Sequence, residues 1–301
     1  MQPAMSLRAT LKNFYRRLPV LREICQIREH VLQLKFEVAA WRLHSAIASD
    51  DALRCHPRYG DPRRLHAAAF RAFSQHGEDG MIAEIFRRIG APTKTFVEIG
   101  VGDGMENNSV YLLRTGWRGW WCEGGAAEVS AMRKNFSTEL TDGRLTLLAG
   151  MLAASEVPAA LSAAGVPLEP DLLSVDVDQH TWRFWAALTD LRPRVVVIEY
   201  NAIFRPPVEW IAPVDAPPWD GSVVNGASLS AFERLGRERG YALVGCDLTG
   251  TNAFFVRTDL TGDHFLAPFD AATHYEPPRL ADSEPRRAAD PSLAPRVAGL
   301  G

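Results

Sequence analysis

Five short apolar runs divide the middle of the chain: Thr95–Ile99, 119–122, Leu145–Ala149, 172–177 and 195–200. Each has the length of a buried strand, and the stretches between them carry helical spacing. Residues 79–89 place Ile82, Ile85, Phe86 and Ile89 on one helix face, with Gly90 and Pro92 to end it; 126–136 and 182–188 also suit helices. This alternation predicts βαβ units and a parallel sheet wound on both faces. After a Pro-rich loop over 205–220 and a helix over 229–239, two further strands are expected at 241–247 and 253–257. The five residues joining them are too few for a parallel crossover, so the sheet should end in an antiparallel hairpin.

Upstream, Leu11, Phe14, Leu18, Leu21, Ile24, Ile27, Val31, Leu34, Phe36, Val38 and Leu43 recur near helical spacing, interrupted by Pro19. One broken helix or two consecutive amphipathic helices are expected. Residues 1–70 hold twelve Lys and Arg against six Asp and Glu, so this extension would suit peripheral contact with an anionic membrane surface. Glu23, Glu29 and Glu37 dilute that basic character, and packing on a partner subunit or on the main domain is the stronger expectation, which makes a homo-oligomer a candidate assembly. The segment 56–64, rich in Pro, Gly and charge, reads as a linker. The resulting division is a helical extension and linker at 1–65, a main domain at 66–265 and an irregular tail at 266–301.

A chain of 301 residues with 47% hydrophobic content can bury a large core, and a net charge of −3 gives no general reason to expect nucleic acid as a partner. Cys25, Cys55, Cys122 and Cys246 are scattered, without the paired spacing of a zinc or dithiol site. No apolar run is long enough to span a bilayer, and the first residues lack the apolar centre of a secretory signal. A cytoplasmic protein is expected, with membrane contact limited to the periphery.

The chemistry concentrates at 95–104, a buried strand that ends in Glu98 and opens into Gly100, Gly102 and Gly104. Glycines there would let backbone approach a ligand, while Asp103, Asn107, Asn108 and Ser109 would cap the next helix and offer hydrogen bonds. About 20 residues further on, Glu123 ends the second strand, where doubly wound folds hold a ribose diol. That acid alone would serve NAD or S-adenosylmethionine equally. The loop separates them: it runs Gly-x-Gly-x-Gly instead of Gly-x-Gly-x-x-Gly, and Glu98 and Asp103 would repel a pyrophosphate but suit an ammonium or sulfonium.

Several blocks then align in order: Ser74-Gln75-His76-Gly77-Glu78-Asp79, the loop from Phe96 to Gly104, Trp117-Arg118-Gly119-Trp120 leading to Glu123-Gly124, and Leu173-Ser174-Val175-Asp176-Val177-Asp178. Val197-Ile198-Glu199-Tyr200-Asn201, Gly226-Ala227-Ser228-Leu229 and Asn252-Ala253-Phe254-Phe255-Val256 continue the series. Over about residues 70 to 260 the chain resembles the FkbM-type class I methyltransferases. The resemblance implies a Rossmann-like doubly wound sheet of seven strands, S-adenosylmethionine as cofactor and methylation of hydroxyls on sugars or related small molecules and glycans. The segment Asp178-Gln179-His180-Thr181-Trp182 departs from the family's usual residues, so the substrate side of the site differs.

Methyl transfer depends on positioning, and a base helps when the acceptor is a hydroxyl. Asp176 and Asp178 end the fourth strand and Glu199 and Asn201 the fifth, the edge at which open α/β sheets bind ligands. Asp176, Asp178 and His180 are the candidate catalytic groups. Asp176, Glu199 and Asn201 form a candidate oxygen set for Mg2+. Gln75 and Asp79 would close over the methionine end of the cofactor, so the expected cofactor residues are Gln75, Asp79, Glu98, Gly100, Gly102, Asp103, Gly104, Asn107 and Glu123. Two other readings compete: a metal-dependent glycosyltransferase clamping a nucleotide sugar through Asp176 and Asp178, and a non-catalytic scaffold that keeps the fold.

Overall fold

The computed structural model describes residues 19–215 and 225–279. The chain forms two compact units, one through Leu53 and one from Arg54 onward. Helix α1 (Pro19–Arg54) is the described part of the first. Pro19 stands at its first residue, where the missing N–H costs no hydrogen bond; the helix expected before Pro19 lies outside the described residues.

In the second unit α2 (Glu78–Ile89) precedes β1 (Thr95–Ile99), followed by α3 (Val110–Arg114), β2 (Arg118–Glu123), α4 (Ala126–Asn135), α5 (Ser137–Thr141) and β3 (Leu145–Ala149). The chain continues with α6 (Val157–Ala163), β4 (Leu172–Val175), α7 (Thr181–Ala187), β5 (Val195–Glu199), α8 (Leu229–Glu238), β6 (Tyr241–Cys246), β7 (Asn252–Arg257) and α9 (Ala271–His274). The seven strands form one sheet in the order β3-β2-β1-β4-β5-β7-β6. Five are parallel, and β7 runs antiparallel to both β5 and β6. The hairpin inferred from the five-residue link is therefore present, with β7 inserted between β5 and β6.

Alternation along the buried strands feeds two cores. Val97, Ile99, Leu173, Val175, Val196 and Ile198 face one side, against Val157 and Leu161 of α6, Trp185 of α7 and Phe232 of α8. Phe96, Trp121, Leu172, Val195 and Val197 face the other, against Ile82 and Ile85 of α2, Leu112 and Leu113 of α3 and Met132 of α4. Helices on both faces make this a doubly wound α/β sheet. Its chain reversal lies at β1, which pairs with β2 on one side and β4 on the other.

The domain borders differ from those that composition suggests. Residues 54–65 belong with the second unit, and Tyr59 and Leu65 are buried there. The segment after 265 is partly built as well: Asp270 caps α9 by accepting from the Thr273 N–H at 2.8 Å. Glu276, with no solvent exposure, accepts from the Tyr59 hydroxyl at 2.7 Å and pairs with Arg58 at 3.3 Å and Arg279 at 3.0 Å. Charges that look like linker polarity in sequence thus meet a buried partner more than two hundred residues away. Residues 280–301 lie outside the described set.

His66 and His274 sit beside this cluster. Burial, reinforced by Arg64 and Arg58, lowers His66 to about 3; burial and then Arg64 lower His274 to about 4, against an opposing hydrogen bond from the His274 ring to the Leu266 carbonyl. Both are neutral when folded and take up protons near pH 6.5 when unfolded, so the unfolded chain binds more protons across the interval between. Stability should rise with pH from about 4 to 6.5, each histidine adding a slope of up to ~1.4 kcal/mol per pH unit. Urea denaturation of wild type and His274→Gln over that interval checks this: the variant should show the shallower slope, and parallel slopes would contradict it.

Candidate functional site

The chain leaves β1 through a tightly constrained turn. The Ile99 carbonyl accepts from the Asp176 N–H at 2.9 Å, while the Gly100 N–H donates to the Cys122 carbonyl at 3.0 Å. Gly100 has φ +81°, and a Cβ there would lie 1.6 Å from the Asp176 carbonyl oxygen. The three strand ends are therefore drawn together only if residue 100 has no side chain. Above them opens a cavity of about 600 Å³.

Its wall is formed by Gly100, Val101 and Gly102 from the β1 loop, Cys122 to Gly125 after β2, Gly150 to Leu152 after β3, and Asp176 to Asp178 after β4. Val157 and Phe184 add apolar surface, and Gln75, Glu106 and Glu128 close the rim. Glu123 ties the loop to β2: one carboxylate oxygen accepts from the N–H groups of Val101 (3.0 Å) and Gly102 (2.8 Å), and the other from Gly125 (2.7 Å). Among the described residues five acids line the cavity, and none of those lining it is Lys, Arg or His.

A second, smaller recess of about 40 Å³ adjoins it and shares Gln75, Gly100, Glu106 and Asp176. Glu78, Glu98, Asn107, Asn108 and Asn252 complete its wall. Glu98 is buried, accepting from the Asn108 N–H at 2.9 Å and from the Ser109 hydroxyl; burial pushes its carboxyl up to about 7 despite those bonds. Asn107 caps α3 with its side-chain oxygen, accepting from the Val110 N–H at 3.0 Å. Glu98 and Asn107 thus shape the recess and hold the loop-to-helix turn, and neither reaches the large cavity.

Other expected cofactor residues have local duties. Asp79 accepts from the N–H groups of Ala72, Phe73 and Ser74 at 2.7–2.8 Å, and its own N–H donates to Ser74 Oγ at 3.0 Å. It clamps the turn that carries Gln75 and lines neither cavity. Asp103 closes its own turn by accepting from the Met105 N–H at 2.9 Å, and Gly104 packs against Phe136, Trp121 and Met132; neither faces the cavity. Gln75, Gly100, Gly102 and Glu123 do.

Among the catalytic candidates, Asp176 and Asp178 lie on the wall, whereas His180, at the end of a 3-10 turn, does not. Asp176 is open to the cavity, yet surrounding protein desolvates its carboxyl and raises its pKa; a hydrogen bond from Glu199 opposes that shift. Burial raises Glu199 well above the usual carboxylate range, and the nearby Asp176 and Asp178 charges raise it further. The hydrogen bond between the two carboxyls lowers Asp176 and raises Glu199, so it sets Glu199 as the donor and Asp176 as the acceptor.

Asn201 does not join them as a ligand. Its amide nitrogen donates to the Asn225 carbonyl (2.9 Å) and side-chain oxygen (2.8 Å), and its own oxygen accepts from the Ile203 N–H at 2.9 Å. Among the described residues no group of three or more His, Cys, Asp or Glu is placed to hold a metal ion. Asn201 is thus engaged away from Asp176 and Glu199, the other two members of the donor set expected for Mg2+.

Met151, Leu152, Phe184, Glu106 and Gly125 carry no motif of their own. The position of 150–152 immediately after a parallel strand was the available signal, since ligands sit at that edge. Phe184 offered none, because an aromatic residue on α7 is equally suited to the core. Trp117 and Trp121 are buried in one core and Trp120 and Trp185 in the other, against which Trp182 packs.

No family model and no curated protein matches the sequence. Solved structures do. An O-methyltransferase from Bacillus cereus in complex with SAH is 16% identical, with 71% of this chain and 88% of that one covered and a TM-score of 0.40. The O-methyltransferase TomG from Streptomyces achromogenes, involved in tomaymycin synthesis and in complex with SAM, is 15% identical, with 59% and 78% covered and a TM-score of 0.40. The fold class itself follows from strand order and register.

The turn at Gly100 predicts an asymmetric response to alanine. Gly100→Ala should cost about 2–6 kcal/mol, combining left-handed strain with a backbone clash. Gly102, at φ +61° with open space around its Cβ, should lose only ~1 kcal/mol. Thermal melts of the two variants check this, and equal losses would contradict the close approach.

Proposed function

We propose that this chain is an S-adenosylmethionine-dependent methyltransferase acting on a hydroxyl of a sugar or a related small molecule or glycan. The observation that carries the reading is Glu123, fixed at the end of β2 against the glycine loop on the wall of the large cavity. An acid there is placed to accept hydrogen bonds from a ribose diol. Met151, Leu152, Val157 and Phe184 offer apolar surface for a base. The acidic wall suits a sulfonium and an ammonium, and the same charges oppose a diphosphate, which disfavours a dinucleotide or nucleotide-sugar ligand. The motif blocks that resemble FkbM-type enzymes point the same way, and the scattered cysteines suit a cytoplasmic protein. No helix among the described residues is long and apolar enough to cross a membrane.

The bound cofactor would supply an electrophilic methyl group for in-line displacement. The protein's task is to orient the acceptor and take its proton. Asp176 carries the accepting oxygen: it faces the cavity, and it is the acceptor in its hydrogen bond with Glu199. Its raised pKa makes it a better base than an ordinary aspartate. Asp178, on the same wall, is placed to hold a second hydroxyl. Hydroxyl-rich acceptors fit such a pair of carboxylates, which only accept hydrogen bonds when ionised.

Calorimetric titration with S-adenosylmethionine and S-adenosylhomocysteine should give saturable binding, with NADH and a nucleotide diphosphate sugar giving none. Glu123→Gln, which keeps one side-chain oxygen for the loop, should weaken S-adenosylhomocysteine by roughly tenfold or more. Absence of binding by the wild-type protein would contradict the reading. Once an acceptor is found among sugars, Asp176→Asn should lower kcat by about 10²–10⁴ while leaving cofactor affinity near wild type; unchanged turnover would remove Asp176 from the proposed chemistry.

A further inference from the structure

Helix α1 exposes a long apolar stripe. Ile24, Ile27, Val31, Leu34, Val38 and Trp41 are all large, and their exposure runs from 45% at Val31 to 70% at Trp41. Their spacing alternates three and four residues, the heptad pattern in which a positions are Ile24, Val31 and Val38 and d positions are Ile27, Leu34 and Trp41. In sequence the series extends back to Val20 at d and forward to Ala48 at d, with Ser45 as the polar a position. A helix of 36 residues is about 54 Å long, enough for five heptads. A strict seven-residue repeat makes a narrow seam for a second helix, whereas packing on a globular surface uses a broader face.

We propose that α1 forms a parallel two-stranded coiled coil with α1 of a second copy of this chain. The flanking charges select both partner and direction. In this register Glu23, His30 and Glu37 occupy g positions, and Arg28, Lys35 and Arg42 occupy e positions. A parallel pair sets each g residue beside the e residue five positions later in the other helix, which matches Glu23 with Arg28 and, in sequence, Glu37 with Arg42, while His30 meets Lys35 between them. An antiparallel pair would set g beside g and e beside e, Glu against Glu and Arg against Arg or Lys. β-branched Ile24, Val31 and Val38 at a, with Leu34 at d, favour two strands. Leu32 and Phe36 fall at b and f, outside the seam.

The full-length protein tests this without reference to catalysis. Light scattering should give twice the 33.3 kDa chain mass. Val31→Lys/Leu34→Lys should convert the protein to monomer with the melting transition of the sheet domain retained, and Phe36→Lys should leave it dimeric. In a Cys25→Ser/Cys55→Ser background, Ile27→Cys and Leu34→Cys should each form a disulfide-linked dimer on oxidation. A wild-type monomer would overturn the proposal, whether or not it sediments with phosphatidylserine vesicles. A dimer that survives the seam substitutions would overturn it as well. Cross-linking at only one of the two cysteine positions would overturn the parallel orientation.

Discussion

The site depends on the approach of two strand ends, β1 at Ile99-Gly100 and β4 at Asp176. Their backbones are joined by the bond from the Asp176 N–H to the Ile99 carbonyl, and Gly100 lies too close to the Asp176 carbonyl for any Cβ. β1 is where the order of strand addition reverses, so β2 leaves on one side and β4 on the other. A crevice must open above that reversal. The glycine loop and Glu123 face it from one side and Asp176 and Asp178 from the other. Every group in the proposed chemistry takes its position from these few backbone contacts.

Acids are numerous around this crevice, and their partners sort them into roles. Asp79 and Glu98 are buried and committed to backbone N–H groups or a hydroxyl, so they fix loops. Glu123 is bonded to backbone yet remains on the cavity wall, which lets one carboxylate hold the loop and meet a ligand. Glu199 donates a hydrogen bond to Asp176, whose carboxyl lines the opening. The result, among the described residues, is an acidic, apolar-sided cavity whose wall carries no cationic side chain.

The sheet was legible because each buried strand carries its own signal: a run of about five apolar residues, a glycine or acid at its end, and a helical stretch before the next. The hairpin was legible from loop length alone. The site was legible in part. Strand-end position identified Glu123 and Asp176, but sequence does not disclose how a carboxylate spends its hydrogen bonds, so Asp79, Asp103 and Glu98 looked equally available. Asn201 looked like a ligand for the same reason, and Asn225, which engages its amide, lies on a distant loop. The packing of residues 54–66 against 270–279 was hidden because its charges are neutralised only in three dimensions, around Glu276.

The central claim is that the crevice above Gly100 binds S-adenosylmethionine through Glu123 and the strand ends around it. Ultraviolet cross-linking of methyl-tritiated S-adenosylmethionine, followed by peptide mapping, tests this directly. Label is expected in peptides containing 99–104, 122–125 or 150–152 and should be displaced by excess S-adenosylhomocysteine. Label confined to other peptides, or label that the competitor does not displace, would contradict the account.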